Sequence, residues 1–98
     1  MEITFESEDK SLNIRLVYIV KTTLRYYKGL GPSYVKCTQC LCFINGLLVG
    51  FDEVIKHYKD DDNQKYAYKF VTKKVIKKIN LKFIRKEIWA KVLVEIEK

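Results

Sequence analysis

The longest alternating stretch of the chain, Leu12–Tyr26, constrains the fold most. Its even positions are mostly apolar: Leu12, Ile14, Leu16, Tyr18, Val20, Thr22, Leu24 and Tyr26. Its odd positions include three basic side chains: Arg15, Lys21 and Arg25. Because successive side chains of a strand point to opposite faces, this pattern predicts a long strand with one buried and one solvated face.

Alternating and turn-forming segments on both sides of this strand predict an antiparallel sheet. Met1–Glu6 alternates as a short strand, and the polar turn Ser7–Ser11 then returns the chain as a hairpin. Tyr27–Ser33 is predicted as a loop because two glycines and a proline do not suit a ladder. Tyr34–Ile44 is the next predicted strand. The Asn45-Gly46 dipeptide then favours a two-residue hairpin, since both turn positions must tolerate positive φ.

The second half of the chain is predicted to hold a short helix and further strands. Asp52–Lys59 begins with a capping aspartate and has apolar residues at helical spacing, so it is predicted as the helix. Lys65–Val71 and Ile88–Ile96 alternate and are predicted as strands. Between them, Thr72–Lys78 fits either periodicity, and Ile79–Ile84 fits a strand.

These elements predict one α+β domain over residues 1–98: a predominantly antiparallel β-sheet with a long central strand, an Asn-Gly hairpin and one or two short helices. A 48% hydrophobic and 13% aromatic fraction supplies a core and argues against disorder. No apolar run approaches the roughly 20 residues that span a bilayer. Met1–Lys10 is acidic and lacks the apolar centre of a secretory signal. We therefore expect a cytoplasmic, intracellular protein with no membrane association.

The three cysteines and the single histidine are the candidate metal or redox ligands. In a strand, Cys37 points to one face while Cys40 and Cys42 point to the other, and no glycine or proline between them allows the tight turn of a zinc knuckle. Cα atoms two residues apart in a strand are about 6.6–7 Å apart, at the limit for a disulfide. We interpret the cysteines as packed thiols without metal, cofactor or disulfide; a metal site and a redox pair are the weaker alternatives.

Catalytic signatures are sparse in this sequence. A Cys–His nucleophilic pair would need His57 beside a thiol and a third orienting group. The acidic run Asp60–Asp62 lacks the calcium-loop pattern and is interpreted as a solvated loop. The sequence contains no glycine-rich phosphate loop, no Gly-x-Ser-x-Gly and no His-Glu-x-x-His. It therefore predicts a protein that is not an enzyme.

The strongest functional signal is a basic tract, Lys65–Lys86, which contains no acidic residue. Its nine basic side chains are Lys65, Lys69, Lys73, Lys74, Lys77, Lys78, Lys82, Arg85 and Lys86. These nine charges exceed the net charge of +7, so the rest of the chain carries a net −2. Lysines also protect sheet edges, but a merely solvated surface usually mixes the two signs. The tract therefore predicts a surface that binds an anionic partner.

The leading hypothesis is non-enzymatic, sequence-nonspecific binding of DNA or RNA through phosphate contacts. The predicted interface residues are Arg15, Lys21, Arg25, Lys69, Lys73, Lys74, Lys77, Lys78, Lys82, Arg85 and Lys86. Tyrosines lie close to these charges: Tyr26, Tyr27 and Tyr34 flank the predicted loop, and Tyr66 and Tyr68 open the tract. Basic and aromatic residues together suit single-stranded nucleic acid, because bases stack on rings while lysines contact phosphates.

The alternative hypothesis is a protein-interaction module, for instance a virus- or phage-encoded, anti-CRISPR-like inhibitor of a host defence complex. The composition, rich in lysine, isoleucine and tyrosine, is typical of small viral proteins. Trp89 and Leu93 lie opposite the alternating apolar residues of the predicted C-terminal strand, which would leave both its faces apolar. This pattern predicts a homodimer. Steep salt dependence with nucleic acid alone would favour the first hypothesis, and a stable protein complex the second.

Overall fold

The computed structural model describes residues 1–27, 29, 31–57, 64–79 and 86–97. Within them the chain forms four strands and two helices: β1 (Glu2–Glu6), β2 (Asn13–Tyr27), β3 (Gly31–Ile44), β4 (Leu47–His57), α1 (Gln64–Lys78) and α2 (Lys86–Glu97). Each strand pairs antiparallel with the next, in the order β1-β2-β3-β4. This confirms the predicted α+β class with an antiparallel sheet. Neither described helix is long and apolar enough to cross a membrane.

The pairing of β2 with β3 is the longest ladder and determines the two faces of the sheet. It runs from Ile14 opposite Ile44 to Tyr27 opposite Gly31, so the predicted loop Tyr27–Ser33 is wrong at Tyr27 and from Gly31 onward. Pro32 fits this strand because β4 pairs with β3 only as far as Val35. The missing N–H of the proline therefore interrupts no ladder on that side.

The turn between β3 and β4 consists of Asn45 and Gly46, with φ values of 49° and 83°. Both lie in the left-handed region that asparagine and glycine tolerate best. β4 then continues to His57, so the helix predicted over Asp52–Lys59 is wrong for Asp52–His57; its last two residues lie outside the described part of the chain. The local helical spacing is overridden by pairing with β3, which extends from the turn to His57.

Helix α1 occupies a segment whose first half was predicted as a strand, and that prediction is wrong for Lys65–Val71. The buried residues Ala67, Val71 and Val75 recur every fourth position and face the sheet. Lysine, glutamine and alanine in this segment are also good helix formers. The helical reading of Thr72–Lys78 is correct, and most of the strand predicted over Ile79–Ile84 lies outside the described residues.

Helix α2 replaces the predicted C-terminal strand Ile88–Ile96, which is wrong. The helix buries Trp89 and Val92, three residues apart, and leaves Val94 53% exposed although the strand pattern placed Val92 and Val94 on one face. Trp89 is only 4% exposed, within the core that α1, α2, β2 and β3 share. The homodimer prediction therefore loses the two-faced edge strand on which it was based.

Both helices pack on the same face of the sheet, where the core lies. Its buried members are Ile14, Leu16, Tyr18, Cys40, Cys42, Val71, Val75, Ile79, Trp89 and Val92. Gly50 on β4 lets α1 approach closely, because an added Cβ would lie 3.1 Å from Cγ1 of both Val75 and Ile79. Thr72 donates a hydrogen bond to the Tyr68 carbonyl (2.6 Å), so the Tyr18 hydroxyl donates to Thr72 Oγ1 at 2.5 Å.

Candidate nucleic-acid interface

The structure distributes the predicted basic residues over three surfaces and the start of α2. Lys69, Lys73 and Lys77 lie on the side of α1 that faces away from the sheet. Two more lysines of α1 reach the edge of β4, and the three basic residues of β2 lie on the opposite face of the sheet. Lys86 is exposed at the start of α2. The two remaining predicted residues, Lys82 and Arg85, lie outside the described part of the chain.

Four lysines form a row along the outer side of α1, which we call the α1 lysine stripe: Lys65, Lys69, Lys73 and Lys77. They recur every fourth residue; Lys69 is partly buried and the other three are exposed. The 15 residues of α1 include no acid. Like charges four residues apart on a helix destabilise it by about 0.2–0.5 kcal/mol per pair. The like charges of the stripe therefore repel one another.

An exposed aromatic pair lies between the lysines of the stripe. The rings of Tyr66 and Phe70 are 57% and 46% exposed as residues, their centroids are 6.2 Å apart, and their planes differ by 24°. The ammonium of Lys56 on β4 lies 4.9 Å from the Tyr66 ring centroid. This combination brings cationic and aromatic groups together on one surface. Phe70 and Lys56 were missed by the sequence reasoning, although the four-residue spacing of Tyr66 and Phe70 indicates a shared helix side.

The other tyrosines named with the basic tract lie elsewhere. Tyr68 packs edge-on against Tyr18 inside the protein, with ring centroids 5.1 Å apart. Tyr26 and Tyr34 are exposed toward the far end of the β2–β3 ladder. The side chain of Tyr27 is outside the described atoms. Of the two tyrosines that open the tract, only Tyr66 belongs to the surface of α1.

Lys74 and Lys78 bind the edge strand β4. Their ammonium groups lie 3.4 Å and 3.1 Å from the carboxylate of Asp52, and they donate hydrogen bonds to the carbonyls of Glu53 (3.0 Å) and Phe51 (3.4 Å). Burial alone would raise the pKa of Asp52, but its hydrogen bonds and the two ammonium groups lower it overall. Lysines in this position block pairing of the sheet edge with another chain. Both side chains therefore have a structural role.

The face of the sheet opposite the helices, which we call the outer sheet face, carries Arg15, Lys21 and Arg25. The Arg15 guanidinium binds the Glu2 carboxylate, with Nε 2.5 Å from Oε1, and lies 5.6 Å from the ring centroid of Phe43. The hydrogen bond from Arg15 lowers the pKa of Glu2. Since the sheet separates this face from the helices, these three residues are not continuous with the α1 lysine stripe.

The outer sheet face is otherwise apolar and balanced in charge. Large apolar side chains exposed on it are Ile19, Leu48, Phe51 and Ile55. Its described strand residues contribute three acidic and three basic side chains: Glu2, Glu6, Glu53, Arg15, Lys21 and Arg25. A neutral, apolar face offers little to a polyanion, whereas the stripe on α1 lies in a helix without acids.

The three cysteines are free and lie on both faces of β3. Cys37 faces outward and its thiol donates to Glu53 Oε2 at 3.2 Å, whereas Cys40 and Cys42 belong to the core. Burial raises the pKa of Cys40 to about 12 and that of Cys42 to about 11, so both are neutral thiols at physiological pH. No metal-binding group of three or more ligands occurs in the described residues, which exclude the side chain of His57.

Comparison with known proteins assigns no role to any of these surfaces. No protein-family model matches the chain, and no curated protein or solved structure is significantly similar to it. The surfaces are therefore interpreted from their own chemistry.

Proposed function

We propose that this protein binds nucleic acid without catalysis and without sequence specificity, through phosphate contacts of the α1 lysine stripe. The observation that supports the proposal is the four-lysine row on the outer side of a helix that has no acidic residue. We also propose that the protein acts inside the cell, where nucleic acid is available.

The dimensions and chemistry of the stripe suit a phosphate backbone. Twelve residues separate its first and last lysine, which corresponds to about 18 Å along a helix axis. Duplex DNA carries one negative charge per roughly 1.7 Å of its axis, so several phosphates lie within that span. Lysine presents a point charge on a flexible stem rather than a fixed fork of donors. Contacts of this kind hold the backbone and do not distinguish one base from another.

The test is a salt titration of binding to fluorescently labelled DNA and RNA, measured by anisotropy. The logarithm of the affinity should fall linearly with the logarithm of salt, by about 0.9 per phosphate contact on duplex DNA and about 0.7 on single strands. Lys73→Gln with Lys77→Gln should weaken binding to all sequences and flatten the slope by about one unit per lost contact. Lys21→Gln with Arg25→Gln removes the same charge from the outer sheet face and is the matched control.

The control decides whether the site, and not the overall charge, is responsible. We expect the outer-face pair to keep the wild-type slope. Equal flattening by both pairs would contradict the assignment to α1. Wild-type protein that binds neither DNA nor RNA at low salt would contradict nucleic-acid binding altogether.

A second candidate function, protein interaction, is favoured by the exposed apolar side chains of the outer sheet face. A second copy of this chain is the proposed occupant, because a face with equal numbers of acidic and basic side chains can match its own charges across a two-fold interface. Sedimentation velocity at tens of micromolar should then report a dimer that Phe51→Lys dissociates and Val94→Lys, on α2, does not. A monomer under these conditions contradicts it.

A further inference from the structure

We infer that the preferred ligand of this surface is single-stranded nucleic acid, whose bases stack on the exposed rings of Tyr66 and Phe70. The inference rests on the proposed function and narrows the ligand from nucleic acid in general to strands with unpaired bases. The proposed ligand is single-stranded DNA or RNA, because the bases of both can stack on aromatic rings.

The two rings lie among the lysines of the stripe in sequence. Tyr66 and Phe70 occupy neighbouring turns of α1, and each directly follows a lysine of the stripe in sequence. Ring faces and ammonium groups therefore alternate along the same helix. Single-strand binding surfaces combine these two elements, because bases stack on the rings while cations follow the backbone.

The two rings are exposed to solvent. Two large aromatic side chains remain about half exposed, although the helix has a well-buried side at Ala67, Val71 and Val75. The near-parallel rings are offset, with centroids 6.2 Å apart, so they form a stepped platform and do not cover each other completely. The paired bases of a duplex are stacked on each other and cannot use such a platform without unpairing.

A further cation lies beside the aromatic pair, at the Tyr66 ring. Lys56 lies over the Tyr66 ring and pairs across the ladder with Lys36 of β3. Tyr34, two residues from Lys36, points to the same side of the sheet and is exposed. The basic and aromatic surface thus continues from α1 onto the sheet, so a strand longer than a few nucleotides meets further cations and a further ring.

A structural role for the two rings is separable from stacking. Aromatic and apolar pairs four residues apart also stabilise a helix by about 0.2–0.5 kcal/mol. Leucine preserves helix propensity and an apolar contact but has no ring face. Tyr66→Leu and Phe70→Leu therefore test stacking with little effect on the helix. Phe51→Leu is the matched control, because Phe51 is a similarly exposed phenylalanine on the outer sheet face.

The experiment compares four labelled probes of equal length: oligo(dT), oligo(U), an abasic single strand and a duplex. We expect wild type to bind oligo(dT) and oligo(U) more tightly than the duplex or the abasic strand. Each leucine substitution should weaken oligo(dT) and oligo(U) binding about 5- to 150-fold, the range expected for one stacked base. Binding to the abasic strand, the salt slope and the Phe51→Leu variant should remain unchanged.

The outcomes separate this inference from the function on which it rests. Binding of all four probes with equal affinity, unaffected by Tyr66→Leu and Phe70→Leu, overturns the single-strand preference and leaves phosphate binding in place. Weakening of the abasic strand by the same substitutions also overturns it, because that probe has no bases to stack. Absence of binding to every probe overturns both proposals. Unequal effects on oligo(dT) and oligo(U) leave stacking supported and show that the sugar or the thymine methyl group adds to it.

Discussion

The two faces of the sheet are built by the same strands but differ in chemistry. The face toward the helices buries Ile14, Leu16 and Cys40 almost completely, whereas the outer sheet face leaves Leu48 and Phe51 half exposed. On the helix side, Lys74 and Lys78 form ion pairs with Asp52 at the edge of β4, and the other lysines of α1 point away from the sheet. The outer sheet face has three acidic and three basic side chains among its described strand residues. The difference shows that net charge alone does not describe how charge is distributed over the surface.

The largest predicted effect is a difference in unfolding free energy between substitutions on the two faces of the sheet. Leu16→Ala removes a fully buried side chain from the helix-facing core and should cost about 2–5 kcal/mol of unfolding free energy. Leu48→Ala removes the same atoms from the outer sheet face and should cost less than about 0.5 kcal/mol. Urea denaturation of both variants measures the difference. A loss at Leu48 as large as that at Leu16 would show that the outer sheet face is covered in solution.

A smaller effect is expected from Gly50→Ala, which tests how closely α1 packs on β4. The added Cβ would meet side-chain atoms of Val75 and Ile79 at 3.1 Å, and overpacking of this kind costs about 1–3 kcal/mol. The double variant with Val75→Ala should be more stable than the sum of the two single losses predicts, because the second change makes room. Strict additivity in a thermal or urea melt would argue against this contact.

The edge where the two faces meet should respond weakly to loss of charge. Lys74→Gln and Lys78→Gln remove partially exposed ion pairs with Asp52, so each should cost no more than about 1 kcal/mol. Their larger consequence should be self-association through the unprotected β4 edge, measured by light scattering against concentration. Lys73→Gln, on the outer side of the same helix, is the control. Equal scattering by all three variants would remove the edge-protection role.

The smallest effect at neutral pH comes from the buried thiols. Their effect on the free energy of unfolding becomes measurable only in alkaline solution. Burial raises the pKa of Cys40 to about 12 from 9.0 and that of Cys42 to about 11, so folding favours their protonated forms. This contribution is fully present below pH 9 and is lost as pH rises through about 11 to 12. Unfolding midpoints between pH 8 and 11 should fall less steeply for Cys40→Ala with Cys42→Ala. Parallel curves for variant and wild type would contradict this.

Strand periodicity predicted the sheet well but the helices poorly, and the reason is physical. Over Leu12–Tyr26, apolar residues occupy most even positions for so long that no helical spacing fits the segment as well. β2 occupies nearly this range. Over Ile88–Ile96 a similar alternation occurs in a helix. This segment is short and has apolar residues at even and odd positions, so its pattern fits both a strand and a helix. The burial of Trp89 together with Val92 distinguishes a helix from a strand. Residues three positions apart share one side of a helix but lie on opposite faces of a strand.

The basic tract was recognisable from composition, but its division between two roles was not. Whether a lysine of α1 faces solvent or the β4 edge depends on the helical phase and on Asp52, which is distant in sequence. The wrong helix prediction at Asp52 concealed that partner. Phe70 was likewise assigned to the face of a strand that does not exist. Sequence alone could therefore name the charge but not the surface.

The order of the strands has a consequence for how the chain folds. Each strand of the sheet pairs with its neighbour in sequence, so each ladder can form outward from the connection between its two strands. No ladder requires a crossover between strands that are distant in sequence, and such topologies fold faster than those with crossovers. During synthesis, however, the sheet is complete before α1 and α2 exist, and its helix-facing side, with Ile14, Leu16 and Cys42, then has no cover from them. The period between completion of β4 and docking of α2 is when a newly made chain is most prone to aggregation.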